Sequence, residues 1–155
     1  MKYIKQMLYY AGLFLYVFTL DRITKWWALR NLDQVIQIND FLSFEFVINR
    51  GISWSMFHSE SNSAFYLLTF VIIGVTLFLA SYAYQRWHDD KFILGEVIIL
   101  AGGISNIVDR IMYGGVIDFI ALNFGIFSWP VFNLADAFIV LGVLFMLVTV
   151  YKDND

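Results

Sequence analysis

Between Ala64 and Tyr84 the chain runs without a single charged side chain. An apolar stretch of more than ~18 residues is long enough to cross the hydrocarbon core of a bilayer as a helix. Lipid offers a backbone no hydrogen-bond partners, so a spanning segment must satisfy its own N–H and C=O groups, as a helix does. This run therefore confines the rest of the chain to folds that a membrane tolerates. Three further stretches read the same way, and helices are expected over about 7–28, 64–84, 92–111 and 131–151 within one integral-membrane domain, 1–155. Composition agrees: 60% of residues are hydrophobic and only 15% charged, far from the soluble balance. The first run follows Lys2 and Lys5 and begins like a signal peptide. No small-residue cleavage site follows it, and it continues through Asp21–Leu29, so it reads as an uncleaved span.

From Asn31 to Asn62 the pattern changes, with a β-rich segment at about 33–57. Phe44, Phe46 and Ile48 alternate with Ser43, Glu45, Val47 and Asn49, the period-2 signal of a strand, and Asn49-Arg50-Gly51 supplies turn residues. About 30 residues is long for a passive connection, so a small sheet is expected there. Met112 to Pro130 reads as a second outer segment, carrying Asp118. The expected fold is a membrane all-α bundle of four transmembrane helices with a small extramembrane β-sheet at the outer interface. Gly95, Gly102, Asn106 and Asp109 fall on one stripe of the third helix, where small residues permit close packing and polar ones face the bundle. Charge leaves the orientation open. Lys2, Lys5, Arg86, Lys91 and Lys152 lie on one side, and Arg22, Lys25, Arg30, Arg50 and Arg110 on the other.

The chain has no cysteine, which excludes disulfides, thiolate metal sites and a thiol nucleophile; His58 and His88 leave little for a histidine zinc site. A net charge of −3 provides no basic footprint for nucleic acid. The polar groups set in this apolar chain carry the information, because a carboxylate at mid-membrane costs roughly 2.5–3.5 kcal/mol on insertion scales. Asp21 and Lys25, four apart, can pair on one helical face as an interfacial salt bridge flanked by Trp26 and Trp27. Asp109, followed by Arg110, reads as an ion pair that stays charged. Asp118 and Asp136 have no adjacent cation. Two carboxyls brought together in a low-dielectric site share one proton, and such a pair can activate water while polarising an amide carbonyl. That would be peptide hydrolysis without metal or covalent intermediate. The same residues also fit carboxylates paired for structure, or a proton or cation path.

Several short motifs occur in a fixed order: D-R-I-T-K from Asp21, N-R-G-I-S-W-S from Asn49, S-N-I-V-D-R from Ser105, G-G-V-I-D-F from Gly114 and F-N-L-A-D from Phe132. In this order, and over nearly the full length, the chain resembles the lipoprotein signal peptidases (signal peptidase II), bacterial membrane aspartyl endopeptidases. The resemblance implies a catalytic dyad of Asp118 and Asp136. It assigns site support or substrate contact to Asn49, Gly51, Asn106, Asp109, Arg110 and Asn133, and a structural role to the pair Asp21 and Lys25. It implies no metal and no cofactor. The implied partners are prolipoproteins whose lipobox cysteine bears diacylglyceryl, cleaved just before that cysteine, together with membrane lipid and globomycin-type inhibitors. The implied location is the bacterial cytoplasmic (inner) membrane, with cytoplasmic termini and the active site near the outer face.

Two places depart from the family pattern: Ile52, Ser53, Trp54 and Ser55 follow the Asn-x-Gly element, and Ser105 stands where glycine is usual before the asparagine. They bear on substrate preference and inhibitor affinity, and they keep a catalytically altered lipoprotein-binding homologue as the rival reading. Trp54 and Trp129 are candidate interfacial anchors. A small proton-coupled transporter would also carry intramembrane Asp, Asn and Arg, but no related halves or broken helices are visible. A metal-dependent phosphotransferase would need carboxylates more closely spaced than Asp109 and Asp118. A Ser–Lys peptidase using Lys25 with Ser53 or Ser55 lacks any motif that joins them.

Overall fold

The computed structural model describes residues 2–51 and 61–154. The expectations at Ile52–Ser55, Trp54 included, and at the end of the β-rich segment lie outside the described residues. Among those described, the order is α1 (Lys2–Asn31), β1 (Ile36–Gln37), β2 (Leu42–Asn49), α2 (Asn62–His88), α3 (Leu94–Tyr113), β3 (Val116–Asn123), β4 (Ser128–Phe132) and α4 (Leu134–Asn154). The strands form one antiparallel sheet in the order β1-β2-β3-β4.

The burial pattern is the reverse of a soluble protein's. Asp21, Lys25, Glu96, Ser105, Asp109 and Asn133 have no exposed surface, while Phe70 and Phe78 of α2 are 74% and 75% exposed. Burying charge while exposing large apolar side chains is unfavourable in water and sound in lipid. α2 and the Leu134–Asp153 stretch of α4 are long and apolar enough to cross a membrane, each with a mean hydropathy of 2.3. α1 and α3 carry more ionisable groups, and they turn Asp21, Lys25, Glu96, Asp109 and Arg110 inward.

α3 packs against all three other helices. Its contact with α4 is made by backbone. A Cβ on Gly102 would lie 2.8 Å from the Ala135 carbonyl oxygen, and one on Gly142 would lie 2.8 Å from the Gly95 carbonyl oxygen. Glycines at these positions let two helices approach closely enough for short side chains to reach across. Between these two levels, Val17 of α1 packs with Ile98 and Ala101 of α3. At the end away from the sheet, Arg86 pairs with Glu96 at 2.8 Å and Asp153 at 2.9 Å, tying α2, α3 and α4 together.

The sheet takes half its strands from the Met112–Pro130 segment, which composition marked only as outer. α3 ends at Gly114, whose φ of 70° is the left-handed conformation that closes a helix at low cost in glycine. Gly115 follows because a Cβ there would strike the Ile48 side chain at 2.6 Å. β3 then alternates. Ile117 and Phe119 pack on Ala28 of α1 and on Leu32 just beyond its end, so Asp118 points to the other face. The fourth span, expected from Val131, starts later. Residues 128–132 pair with β3 (Leu122 opposite Trp129, Ile120 opposite Phe132), and Pro130 sits in this edge strand, where a missing N–H is tolerated.

Candidate active site

Asp118 is placed by strand geometry. Phe44 pairs with Ile120 and Val47 with Asp118, so two residues of β2, Glu45 and Phe46, stand opposite one of β3, Phe119, a one-residue bulge. The bulge reverses the alternation beyond it. Val47 and Asn49, rather than Phe46 and Ile48, share the face of Asp118, which corrects the simple period-2 reading. Asn49 then lies diagonal to Asp118 and donates from Nδ2 to Oδ2 at 2.9 Å. Its own Oδ1 accepts from the Gly51 N–H at 2.9 Å, which fixes the amide orientation.

Asp136 is placed by helix capping. Asn133 is the residue before α4, and its Oδ1 accepts from the Asp136 N–H at 2.9 Å while Asp136 Oδ2 accepts from the Asn133 N–H at 3.3 Å. This reciprocal pair is a capping box with Asp in the acidic position. The Asn133 amide also works through its Nδ2, which donates to Asp118 Oδ1 at 2.7 Å and to Asn106 Oδ1 at 3.3 Å. One residue therefore links the strand that carries one aspartate to the helix that carries the other. The second oxygen of Asp136 accepts from Asn106 Nδ2 at 2.8 Å.

Beneath the aspartates lies a buried charge network. The Lys25 ammonium reaches Asp21 at 2.8 Å, Asp109 at 2.8 Å and Asn106 Oδ1 at 2.7 Å, which uses its three donors. Asp21 also accepts from Ser105 Oγ at 2.6 Å and from the Ala135 N–H in the first turn of α4 at 2.8 Å. Asp109 pairs with Arg22 as well and accepts from the Ile117 N–H at 3.3 Å. The network thus holds α1, α3, β3 and α4 in register directly under Asp118 and Asp136. Arg110 is turned away from it and donates to the Gly51 carbonyl at 2.5 Å.

A cavity of about 410 Å³ opens over these groups. Asn49, Gly51, Asn106, Arg110, Asp118 and Asp136 form its polar wall; Ile72 and Val75 of α2 and Ile139 and Val140 of α4 form the apolar one. Burial, and then the nearby Asp136 carboxylate, push the Asp118 carboxyl up to about 7, against the pull of the Asn49 and Asn133 amides and the Lys25 charge. A carboxyl that keeps its proton near neutrality can act as an acid beside a second carboxylate.

The residues singled out from sequence are brought together, with two corrections. Asp21 and Lys25 do pair, but in the fully buried interior rather than at the interface. Trp27 packs on Phe44 and Phe119, while Trp26 lies under Arg30 at 4.4 Å. Asp109 is ion-paired as expected, yet with Arg22 and Lys25 and not with Arg110, because successive helical residues point about 100° apart. Sequence reasoning missed Arg22 as a partner for Asp109. The signal was available, since Arg22 precedes Lys25 by three and shares its face.

The family model of signal peptidase (SPase) II matches residues 13–152. The chain belongs to the signal peptidase II family. A lipoprotein signal peptidase of Listeria welshimeri is 34% identical over 152 residues, 95% of this chain and 96% of that protein. One from Psychromonas ingrahamii is 34% identical over 131 residues, 83% of this chain and 76% of the relative. Two solved structures described as bacterial membrane enzymes share the fold at 21% identity. Their TM-scores are 0.75 and 0.74, covering 94% and 93% of this chain. As a member of the signal peptidase II family the chain is a peptidase, and its apolar exterior is that of an integral membrane protein.

Proposed function

We propose that this protein removes the signal peptide from diacylglyceryl-modified prolipoproteins, cleaving just before the lipidated cysteine, with Asp118 and Asp136 as its catalytic pair. The observation that carries this reading is that the two carboxyls, each oriented by asparagine amides, face one cavity that has a polar wall and a lipid-like wall. Asp136 acts as the base. It stands in the first turn of α4, where the helix dipole favours negative charge. Asp118 holds the shared proton, consistent with its position near 7. Water attacks the scissile carbonyl carbon as it gives a proton to Asp136, and Asp118 passes its proton to the carbonyl oxygen. The resulting gem-diol collapses when Asp136 returns the proton to the leaving cysteine nitrogen and Asp118 recovers one from a hydroxyl, so protons balance and no covalent enzyme intermediate forms.

In this reading all four helices cross the bacterial inner membrane as a single peptidase unit, with both termini cytoplasmic and the sheet at the outer face. A substrate that is itself an apolar helix can then enter from the bilayer between α2 and α4, while water reaches the dyad from outside. Asn49, Gly51 and Arg110 form the outer wall over the bound peptide, and globomycin-type inhibitors compete for the same cavity. The test is cleavage of a diacylglyceryl prolipoprotein by the purified protein in detergent, beside Asp118→Asn and Asp136→Asn, with and without EDTA. The expected result is cleavage before the modified cysteine, unaffected by EDTA and abolished in both variants. Full activity of either variant would remove that residue from the dyad.

A further inference from the structure

Phe65 differs from the other large aromatic residues along the outer half of α2. Tyr66, Phe70 and Phe78 are largely exposed, as lipid-facing side chains should be, whereas Phe65 is 5% exposed. It stands in the first turn of the helix and is buried together with Thr69, one turn further on. Two guanidinium groups lie over its ring. Arg50 Cζ is 5.0 Å from the ring centroid and Arg110 Cζ is 5.8 Å from it. Both fall inside the ~6 Å over which an aromatic face attracts a cation. The two arginines come from different elements, since Arg50 follows β2 and Arg110 belongs to the last turn of α3.

We propose that Phe65 is a positioning residue for Asp118, acting through Arg110 and Gly51. The inference deepens the function proposed above and rests on it. The π face of Phe65 supplies negative potential where two like charges would otherwise drive each other apart. Held there, Arg110 donates to the Gly51 carbonyl at 2.5 Å and, more weakly, to the Arg50 carbonyl at 3.5 Å. The Gly51 N–H in turn holds Asn49 Oδ1 at 2.9 Å, and Asn49 Nδ2 donates to Asp118 Oδ2 at 2.9 Å. Arg50 reaches back to α2, where its Nη2 donates to Asn62 Oδ1 at 2.8 Å. One ring therefore couples the start of α2, the end of β2 and the end of α3 to the orientation of the Asp118 carboxyl. The same helix supplies Ile72 and Val75 of the apolar cavity wall, so the wall and the carboxyl are set together. Two simpler roles fit less well. An interfacial anchor would be exposed, as Tyr66 is. A purely apolar contact offers no potential that would draw two guanidiniums to one side chain.

The test uses the full chain in detergent with a diacylglyceryl prolipoprotein as substrate. Phe65→Leu keeps an apolar side chain and removes the π face, and it is expected to lower kcat by about tenfold, equivalent to one desolvated cation–π contact. Replacing Phe65 by its 4-fluoro, 3,5-difluoro and 3,4,5-trifluoro analogues nearly preserves shape while withdrawing the negative face in steps, so kcat should fall in steps. Phe70→Leu, on the exposed side of α2, is the control and should match wild type. A kcat indifferent to fluorination overturns the inference and leaves Phe65 as packing. In an Asn49→Ala background the link to Asp118 is already cut, and Phe65→Leu should then change kcat by no more than about twofold. A further full tenfold fall overturns the route through Gly51. A spectroscopic measurement stands apart from turnover. Arg50-Gly51 is the chain's one Arg-Gly dipeptide, so 13C-arginine with 15N-glycine singles out one amide. Its resonance should move progressively along the fluorinated series, and an unmoved resonance refutes the coupling. Failure of wild type to cleave overturns the proposed function instead, and the Gly51 resonance then decides the link from Phe65 by itself.

Discussion

Replacing Lys25 by methionine tests the buried network most directly. The side chain keeps its length and loses its charge, so packing is largely conserved. Lys25 is fully buried, and its three partners are Asp21, Asp109 and Asn106. After the change Asp21 retains Ser105 Oγ and the Ala135 N–H, and Asp109 retains Arg22 and the Ile117 N–H. Two carboxylates would then share one cation instead of two. Breaking a buried pair by deleting one partner costs about 3–5 kcal/mol. At roughly 2–4 °C per kcal/mol for a chain of this size, the midpoint of thermal unfolding should fall by about 6–20 °C. Activity should fall as well, measured well below that midpoint. Lys25 and, at 3.3 Å, the Asn133 Nδ2 hold the Asn106 Oδ1 and so turn its Nδ2 to Asp136; with the shorter of these bonds lost, displacement of the carboxylate proposed as catalytic costs up to the order of 10²-fold. The assay is unfolding followed by tryptophan fluorescence in detergent, with kcat for prolipoprotein cleavage measured in parallel. Adding Asp109→Asn should recover part of the loss, because it removes the unbalanced charge. A midpoint within about 2 °C of wild type, with kcat intact, would show that the network neither stabilises the bundle nor positions the dyad.

The pH profile provides a second check. Asn49 donates to Asp118 and so favours its ionised form; Asn49→Ala should raise the Asp118 carboxyl further and move the alkaline limb of kcat/KM, where the shared proton is lost, to higher pH. A shift to lower pH would contradict the assignment. The same group sets a sign for stability: its folded pKa of about 7 exceeds the unfolded value of about 3.9, so the folded state binds more protons between them. Asp118 therefore makes the protein less stable as pH rises from ~4 to ~7, and denaturation midpoints across that window should show the loss relaxed in Asp118→Asn. Finally, Gly102→Val would place atoms against the Ala135 carbonyl at 2.8 Å and Ile139 at 2.9 Å, forcing α4 outward at a cost of about 1–3 kcal/mol and displacing the adjacent Asp136. Gly74→Val, which meets nothing within 4 Å, should leave cleavage near wild type by the same assay.

Much of this protein was legible in its residues. The uncharged run from Ala64 to Tyr84 requires a membrane helix, because in lipid no other single segment satisfies its own backbone. The Gly95–Gly102–Asn106–Asp109 stripe faces the bundle as its spacing requires, with both glycines against α4 and Asn106 on Asp136. Motif order picked out the residues that meet around the cavity. What it left open follows from the range of each signal. Periodicity describes a strand only while the register is regular, and the bulge between Phe44 and Val47 is a property of two paired strands. Hence the side of β2 that bears Asn49 was decided by β3. The start of α4 was misplaced because Val131 and Phe132 are as apolar as the helix they precede; pairing with β3 makes them strand, and the Asn133 cap sets the boundary. Sequence adjacency suggested Arg110 for Asp109, yet the helix turns neighbours apart and delivers Arg22 and Lys25 from α1 instead. By itself the sequence determined which groups are too costly to leave in lipid and must therefore find partners. Which partners they find, and that Asp118 and Asp136 face a common cavity, was decided only by tertiary packing, because hydrogen bonds and ion pairs act over a few ångströms between segments far apart in the chain.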